Sequence, residues 1–439
     1  MLEAEIASAA PGTRLPSVRD LMARHRVGPG TVQRAIGELA ARGLVDARPG
    51  RGTFVAPRAA PRAPDTAWQA VPLGARSIDA DALETLQYVP PAGTLVLSSG
   101  YLPADLQPTA ALGAALARAG RRPGAWDRVP LAGLGGLRSY FAAAVGATAG
   151  DVLICPGGQS ALAACLRGLA APGASVIVES PTYVGALAAA RAQGLQPVPV
   201  PVDERGIRPD LLADALQASG ARVVYLQPLY ANPHGATLVP DRRAAVLDAV
   251  RAAGAFIVED DAFRDTAFGP VPPPLFTDDP DGHVVHVRSL TKPSSPGLRI
   301  AGVTARGPAA ARLRAARIVE DLFVAGPLQE AALELVGTPA WRAHLRRLRR
   351  VLRERRDALA AHFRPWVQPE GGMNLWVPLP PGTDDRELAQ RAAAAGVIVS
   401  PGRPFFAAEP PGPFLRLTFA AEPPERLAEG AERLKELLA

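Results

Sequence analysis

From about residue 93 to 310, short apolar runs alternate with helical stretches rich in Ala, Leu and Arg, and that alternation leaves few folds open. "ASVIVES" precedes "PTYVGALAAARAQG", and "RVVYLQP" precedes "DRRAAVLDAVRAAG"; "AFIVEDD" and "HVVHVRSL" close the series. Such strands, with a helix between each pair, predict a mostly parallel sheet covered by helices on both faces. After 310 the pattern turns helical and Arg-rich, and short strands follow at "GMNLWVPL" and "FLRLTFA", which predicts a smaller α+β domain. The front of the chain differs again. Residues 1–57 read as short helices ending in a Gly-rich basic hairpin, and 58–92 as a Pro/Ala-rich linker and connecting arm. The expected division is therefore 1–57, 58–92, 93–310 and 311–439, within a chain of 439 residues.

No run of about 18 uncharged apolar residues is present, which excludes a transmembrane helix, and the start lacks the pattern of a secretory signal. Cys155 and Cys165 are the only cysteines; they read as two small core residues of a protein in a reducing cytoplasm. His283 and His286 lie three apart on a predicted strand and so point to opposite faces, which speaks against a metal site. Trp376 and the leucines of the last helix read as packing.

The net charge is +6, and the 48 basic residues include only two lysines, Lys292 and Lys435. A guanidinium cannot act as a nucleophilic amine, whereas a desolvated lysine can lose its proton and attack a carbonyl. A lysine kept at the end of "HVVHVRSL" in an arginine-favouring chain therefore points to amine chemistry. Its neighbours extend the reading. Ser289 and Arg299 offer a hydroxyl and a bidentate fork to a phosphate. "CPGGQS" follows a strand and opens a helix whose free N–H groups form an anion site. Tyr183 follows a strand and can stack on a flat ligand. Asn232 lies in a turn after another strand, and Glu259, Asp260 and Asp261 end a third. A carboxylate there can keep a pyridinium nitrogen protonated. All these residues lie just after strands, where open α/β sheets bind ligands. A phosphate site, a ring to stack on, a carboxylate and a reactive lysine are the parts that hold pyridoxal 5′-phosphate.

Residues 93–439 resemble the fold-type-I, aspartate-aminotransferase-like enzymes, on the strength of "SLTKPSSPGLRIAG". The resemblance implies that Lys292 carries the cofactor covalently, that Asp260 pairs with the pyridine nitrogen, that Asn232 bonds the ring hydroxyl and that Tyr183 stacks on the ring. It gives the phosphate to Gly158, Gln159, Ser160, Ser289 and Arg299. Arg416 matches the arginine that takes an α-carboxylate, with Asn374 beside it, and Gly133 matches the glycine before the first helix of the large domain. Three positions depart from the pattern. Phe263 replaces a tyrosine that bonds the ring hydroxyl, Arg128 stands near the place of a tyrosine that reaches the neighbouring subunit, and His234 replaces a threonine.

In the front segment, Ser17 is a candidate N-cap for a helix through "VRDLMARHR". A Gly-Pro-Gly turn at 28–30 and a second helix over 31–43 follow, and "LVDARPGRGTFVA" reads as a hairpin. Two helices, a tight turn and a basic wing describe a winged helix-turn-helix. Nine arginines against three acidic residues between Arg14 and Arg58 suit phosphates. Residues 12–55 resemble the GntR family, which implies that Arg19, Thr31, Gln33 and Arg34 lie at DNA and that Arg48, Gly50 and Arg51 form the wing. Pro29 stands where a DNA-contacting arginine is common, and the first helix is short.

Joined, the two parts resemble the MocR subfamily of GntR regulators over nearly the whole chain. "HLRRLRRVLRERRDAL" at 344–359 is close to that subfamily's wording and reads as a solvated basic helix. The expectation is a cytoplasmic, homodimeric regulator that binds operator DNA through its winged helix. It senses an amino acid, an amine or pyridoxal 5′-phosphate itself in its second domain. The alternative is an active aminotransferase whose DNA-binding domain is vestigial.

Overall fold

A computed structural model describes residues 2–57, 66–73, 83–84 and 87–438. It separates into two compact units, 1–77 and 78–439, each described by itself below. Most of the expected linker, 58–65, 74–82 and 85–86, lies outside the described residues. Among the described residues no helix is long and apolar enough to cross a membrane.

The first unit contains α1 (Leu2–Ser8), α2 (Val18–His25) and α3 (Pro29–Ala41), followed by the hairpin β1 (Val45–Arg48) and β2 (Gly52–Val55). Ser17 caps α2 in a capping box: its Oγ accepts from Asp20 N at 3.2 Å, and the Asp20 carboxylate accepts from Ser17 N. The Gly-Pro-Gly turn expected at 28–30 is a helix start instead. Gly28 is the N-cap and Pro29 the first helical residue, where its fixed φ suits the helix and its missing N–H costs nothing. The hairpin pairs antiparallel, Val45 against Val55 and Arg48 against Gly52. Ile6, Leu15, Leu39, Val45 and Val55 close a small core beneath it.

The second unit is built on β4 (Val152–Cys155), β5 (Ser175–Ser180), β6 (Gln196–Asp203), β7 (Gly206–Ile207), β8 (Val223–Leu226), β9 (Phe256–Asp260), β10 (Val284–Ser289) and β11 (Ala301–Thr304). Their order is β4-β11-β10-β9-β8-β5-β6-β7. β11 runs antiparallel to both of its neighbours, and β5, β6, β8, β9 and β10 are mutually parallel. The sheet has eight strands, and its edge is the two-residue β7, which folds back antiparallel on β6 across a short turn. Alternate side chains feed opposite cores, as strand geometry requires. Val176, Val178, Val223 and Tyr225 pack on one face, with Ile177, Val224 and Leu226 on the other. Each fully buried aliphatic side chain here contributes roughly 1.5–3 kcal/mol.

The C-terminal part carries β12 (Asn374–Pro378), β14 (Ser400–Pro401) and β15 (Phe414–Thr418) as a three-stranded sheet in the order β12-β15-β14. The 310/311 boundary falls inside the helix Gly307–Asp321, where hydrogen bonding is continuous. β3 (Leu95–Val96) also departs from the expected division. It pairs with β13 (Val397–Ile398), and Leu95 and Leu97 bury among Leu415, Leu427 and Leu434. The Arg-rich stretch 344–359 lies in the helix Pro339–Ala360 and is only partly solvated. Arg355 and Arg356 are each 4% exposed, because their guanidinium groups satisfy the carbonyls of Ala420 and Pro369.

Candidate functional site

The C-terminal ends of the parallel strands surround one cavity. Its walls include Gly158, Gln159, Tyr183, Asn232, Asp260, Ser289, Lys292 and Arg299, all singled out from the sequence. Tyr101, Leu162, Gln227, Ala262, Phe263 and Thr291 complete it. Ser160, Arg416 and Asn374 do not line it. Ser160 sits in the first turn of the helix Gly158–Leu169, and Arg416 lies behind Asn232, with its Nη1 3.5 Å from Asn232 Oδ1. Asn374 is buried on β12, two residues from the register partner of Arg416, and its Oδ1 has no hydrogen-bond partner.

The two lysines differ sharply. Lys435 is on the surface, paired with Glu432 at 3.1 Å. Among the described residues Lys292 has no carboxylate partner; its Nζ donates to Gly100 O at 2.8 Å and stands 4.7 Å from the centre of the Tyr101 ring. Burial, reinforced by Arg416, pushes its ammonium down to about 8, against an opposing pull from Asp260. At pH 7.5 about a quarter of such lysines are neutral, against about a thousandth for a free one.

The acidic run at the end of β9 is sorted by strand alternation. Glu259 turns to one side and accepts from Leu275 N at 2.7 Å and Phe276 N at 3.1 Å. Asp261 is buried with Arg264 and with His286 Nε2 at 3.1 Å, which holds its carboxyl below the usual range despite burial. Asp260 faces the cavity. Its Oδ2 accepts from Tyr225 Oη at 2.7 Å and Gln227 Nε2 at 2.9 Å, and burial pushes its carboxyl upward against these bonds.

The anion end is made by three separate pieces of chain. Gly157 has φ 93°, and a Cβ there would lie 2.6 Å from the Arg299 guanidinium, so that the turn accepts only glycine. A Cβ on Gly158 would lie 3.5 Å from that of Ser289. The N–H groups of Gly158, Gln159 and Ser160 open the helix and have no intrahelical acceptor. Arg299 forms no ion pair among the described residues, and Arg416, 1% exposed, meets no carboxylate either. Burial lowers the Arg416 guanidinium to about 10. Lys292 and Arg299 thus line the cavity with Asp260 as its one carboxylate, and Arg416 adds a third cation behind Asn232. A ligand with a phosphate and a second anionic group would balance them, and a ring between Tyr183 and Asp260 would meet both a face and an acceptor. The residues fit pyridoxal 5′-phosphate.

The departures have clear places. Phe263 is 3% exposed, lines the cavity and offers no hydroxyl. His234 is sealed in, edge-on to Trp366, and burial pushes it down to about 3, so it is neutral. Arg128 is exposed on the surface. Gly133, φ 94°, is required because a Cβ would lie 2.4 Å from Ile154 Cγ1.

On the first unit, Arg19, Thr31, Gln33, Arg34, Arg48, Gly50 and Arg51 are all exposed. Arg19, Arg34 and Arg51 form no ion pair among the described residues, whereas Arg48 Nε binds Asp46 Oδ2 at 2.8 Å.

Comparison with known proteins agrees with both halves. Residues 94–434 match the family model "Aminotransferase class I and II", and residues 1–55 match "Bacterial regulatory proteins, gntR family". A 2-aminoadipate transaminase of Thermus thermophilus is 34% identical over 82% of this chain and 94% of its own. An uncharacterized HTH-type transcriptional regulator of Escherichia coli, YdcR, is 30% identical over 100% of this chain and 97% of its own. The crystal structure of the α-aminoadipate aminotransferase LysN from Thermus thermophilus, complexed with N-(5′-phosphopyridoxyl)-L-leucine, superposes with TM-score 0.77. It is 33% identical over 82% of this chain and 95% of that one. The chain belongs to the aminotransferase class I and II family, fused to an N-terminal gntR-family regulatory domain in the arrangement of the MocR subfamily.

Proposed function

We propose that the protein is a cytoplasmic, homodimeric transcription regulator that binds operator DNA and reads an amino acid or amine at the Lys292 cavity. The observation that carries this reading is the excess of cations at the site. Lys292 and Arg299 line the cavity with Asp260 as its one carboxylate, and Arg416 lies behind Asn232, in a chain that resembles an HTH-type regulator along its whole length. Bound there, pyridoxal 5′-phosphate supplies an aldehyde for amines and an electron-withdrawing ring. Arg299, Ser289 and the Gly158–Ser160 N–H groups hold its phosphate, and Tyr183 covers its ring. Asp260 and Asn232 hold the ring nitrogen and hydroxyl. Lys292 would hold the cofactor's aldehyde carbon, and Arg416, with Asn374 nearby, would take the carboxylate of a bound amino acid.

A ligand changes DNA binding only through its different affinity for two conformations. The end of the connecting arm stands where such a difference is felt. Gln87 Nε2 donates to Tyr101 Oη at 3.3 Å, and Leu83 packs on the cluster of Val184, Trp376, Phe405 and Phe406. The Phe405 ring lies 5.4 Å from the Arg416 guanidinium. Trp126, Leu131, Val319 and Leu322 are large apolar side chains left exposed on this unit.

A second reading, a working aminotransferase, is favoured by the similarity to the 2-aminoadipate transaminase. One experiment separates them. The regulator shifts an operator fragment in a gel, and an amino acid that changes the cofactor's absorbance also changes that shift. The enzyme turns over an amino donor with 2-oxoglutarate or pyruvate at a steady rate and shows no operator preference.

A further inference from the structure

From these contacts we infer that Gln227 is a positioning residue that ties the carboxylate facing the cofactor's ring nitrogen to the asparagine facing its hydroxyl. The inference rests on the placement of pyridoxal 5′-phosphate against Asp260 and Asn232. Gln227 is 4% exposed and follows β8 directly. Its side-chain Oε1 accepts from Asn232 N at 2.9 Å, and its Nε2 donates to Asp260 Oδ2 at 2.9 Å. Its own backbone N–H is held by Glu179 Oε2 at 2.8 Å.

The amide cannot be turned round. Asn232 N–H is only a donor and must face the oxygen, so the NH2 group must face Asp260. With Tyr225 Oη on the same oxygen, two donors converge on Oδ2 and leave Oδ1 to the cavity. One side chain thus fixes the direction of the carboxylate, supports its ionised form and sets the position of the neighbouring turn. No motif carries it, and the family roles drawn from the sequence leave it out.

The test compares two isosteres in the full-length protein loaded with pyridoxal 5′-phosphate. Gln227→Leu removes both bonds. Gln227→Glu keeps the acceptor for Asn232 but turns a second carboxylate toward Asp260. Lys292, Tyr225, Asp261, Glu179, Tyr183 and Cys165 are the other titratable groups around Asp260 and are the same in both variants. A merely structural role predicts that Glu, which keeps one bond, is the milder change. Positioning predicts the reverse order. The Glu variant raises the pH midpoint of the visible absorbance more than the Leu variant, by about one unit or more, since an added negative charge beside Asp260 favours the protonated form of the titrating nitrogen. Equilibrium dialysis shows both variants binding the cofactor about ten- to a hundredfold more weakly, the usual cost of losing a hydrogen bond to a charged group.

A parental midpoint and affinity in Gln227→Glu, or a milder shift in Glu than in Leu, overturns the inference. Asp260→Asn is the control for what lies beneath it. If Asp260→Asn also leaves the midpoint in place, the ring-nitrogen assignment falls and this inference with it. If Asp260→Asn moves the midpoint and Gln227→Glu does not, only Gln227 is misread.

Discussion

The two functional regions are built by opposite means. The arginines expected at DNA lie within a short stretch of chain, are exposed, and depend on packing only to hold their helices and hairpin in place. The cavity draws on residues from Tyr101 to Arg299, with Arg416 behind it, and burial shifts Lys292 and Arg416 downward. Water and salt screen the first set, while burial amplifies the second. The first region should therefore respond to ionic strength in small steps. The second should respond to pH and to single substitutions in large ones.

The largest effect tests the difference between the two lysines. Borohydride reduction of the cofactor-loaded protein should fix the cofactor to one peptide, containing Lys292. Lys292→Ala should leave none fixed, and Lys435→Ala, which removes only a surface pair, should leave the yield unchanged. Label recovered at position 435 would break the contrast at its root.

Next in size is the pH dependence of cofactor capture. Only the neutral amine attacks an aldehyde, and the Lys292 ammonium is held down to about 8. The capture rate should rise with pH up to about 8 and level above it, instead of climbing toward the range of a free lysine. Arg416 is the second cause of that depression after burial, so Arg416→Met should move the inflection upward. Asp260→Asn, which removes an opposing charge, should move it downward. Stopped-flow absorbance across a pH series gives all three.

How much of each region could be read in advance follows from the same difference. Ser17, the arginines and the wing are local, and the capping box at Ser17–Asp20 is written in four consecutive residues. Pro29 was misplaced because a proline flanked by glycines fits a turn as well as a helix start. In the second unit the alternation of strands and helices shows the sheet. "SLTKPSSPGLR" points to the lysine and to Arg299. Tyr225 and Gln227 escape because their importance comes from strand order, which places β8 beside β9 with Leu226 opposite Glu259. One signal was available: Tyr225 and Gln227 are separated by one residue in "VVYLQP", and so share a face of a strand that is otherwise apolar. The buried Arg355 and Arg356 were hidden for a similar reason, since only the tertiary fold brings carbonyl oxygens to them.

The smallest effects sharpen the comparison within the first unit. Arg19 has no ion pair among the described residues, while Arg48 is already held by Asp46 and packs over Phe54 at 5.1 Å. A free guanidinium that meets a phosphate releases a counterion. Arg19→Ala should therefore lower the slope of log affinity against log salt by about 1. Arg48 must loosen its bond to Asp46 before it can serve a phosphate, and part of its charge is already neutralised. Arg48→Ala should accordingly change the slope by less than Arg19→Ala, and Asp46→Ala should steepen it by freeing Arg48. In all three variants the cofactor absorbance should match that of the parent, because none of these residues contributes to the cavity. Equal slopes for Arg19→Ala and Arg48→Ala would show that the Asp46 pair opens at no cost on DNA, and that the wing carries as much of the phosphate contact as the helices.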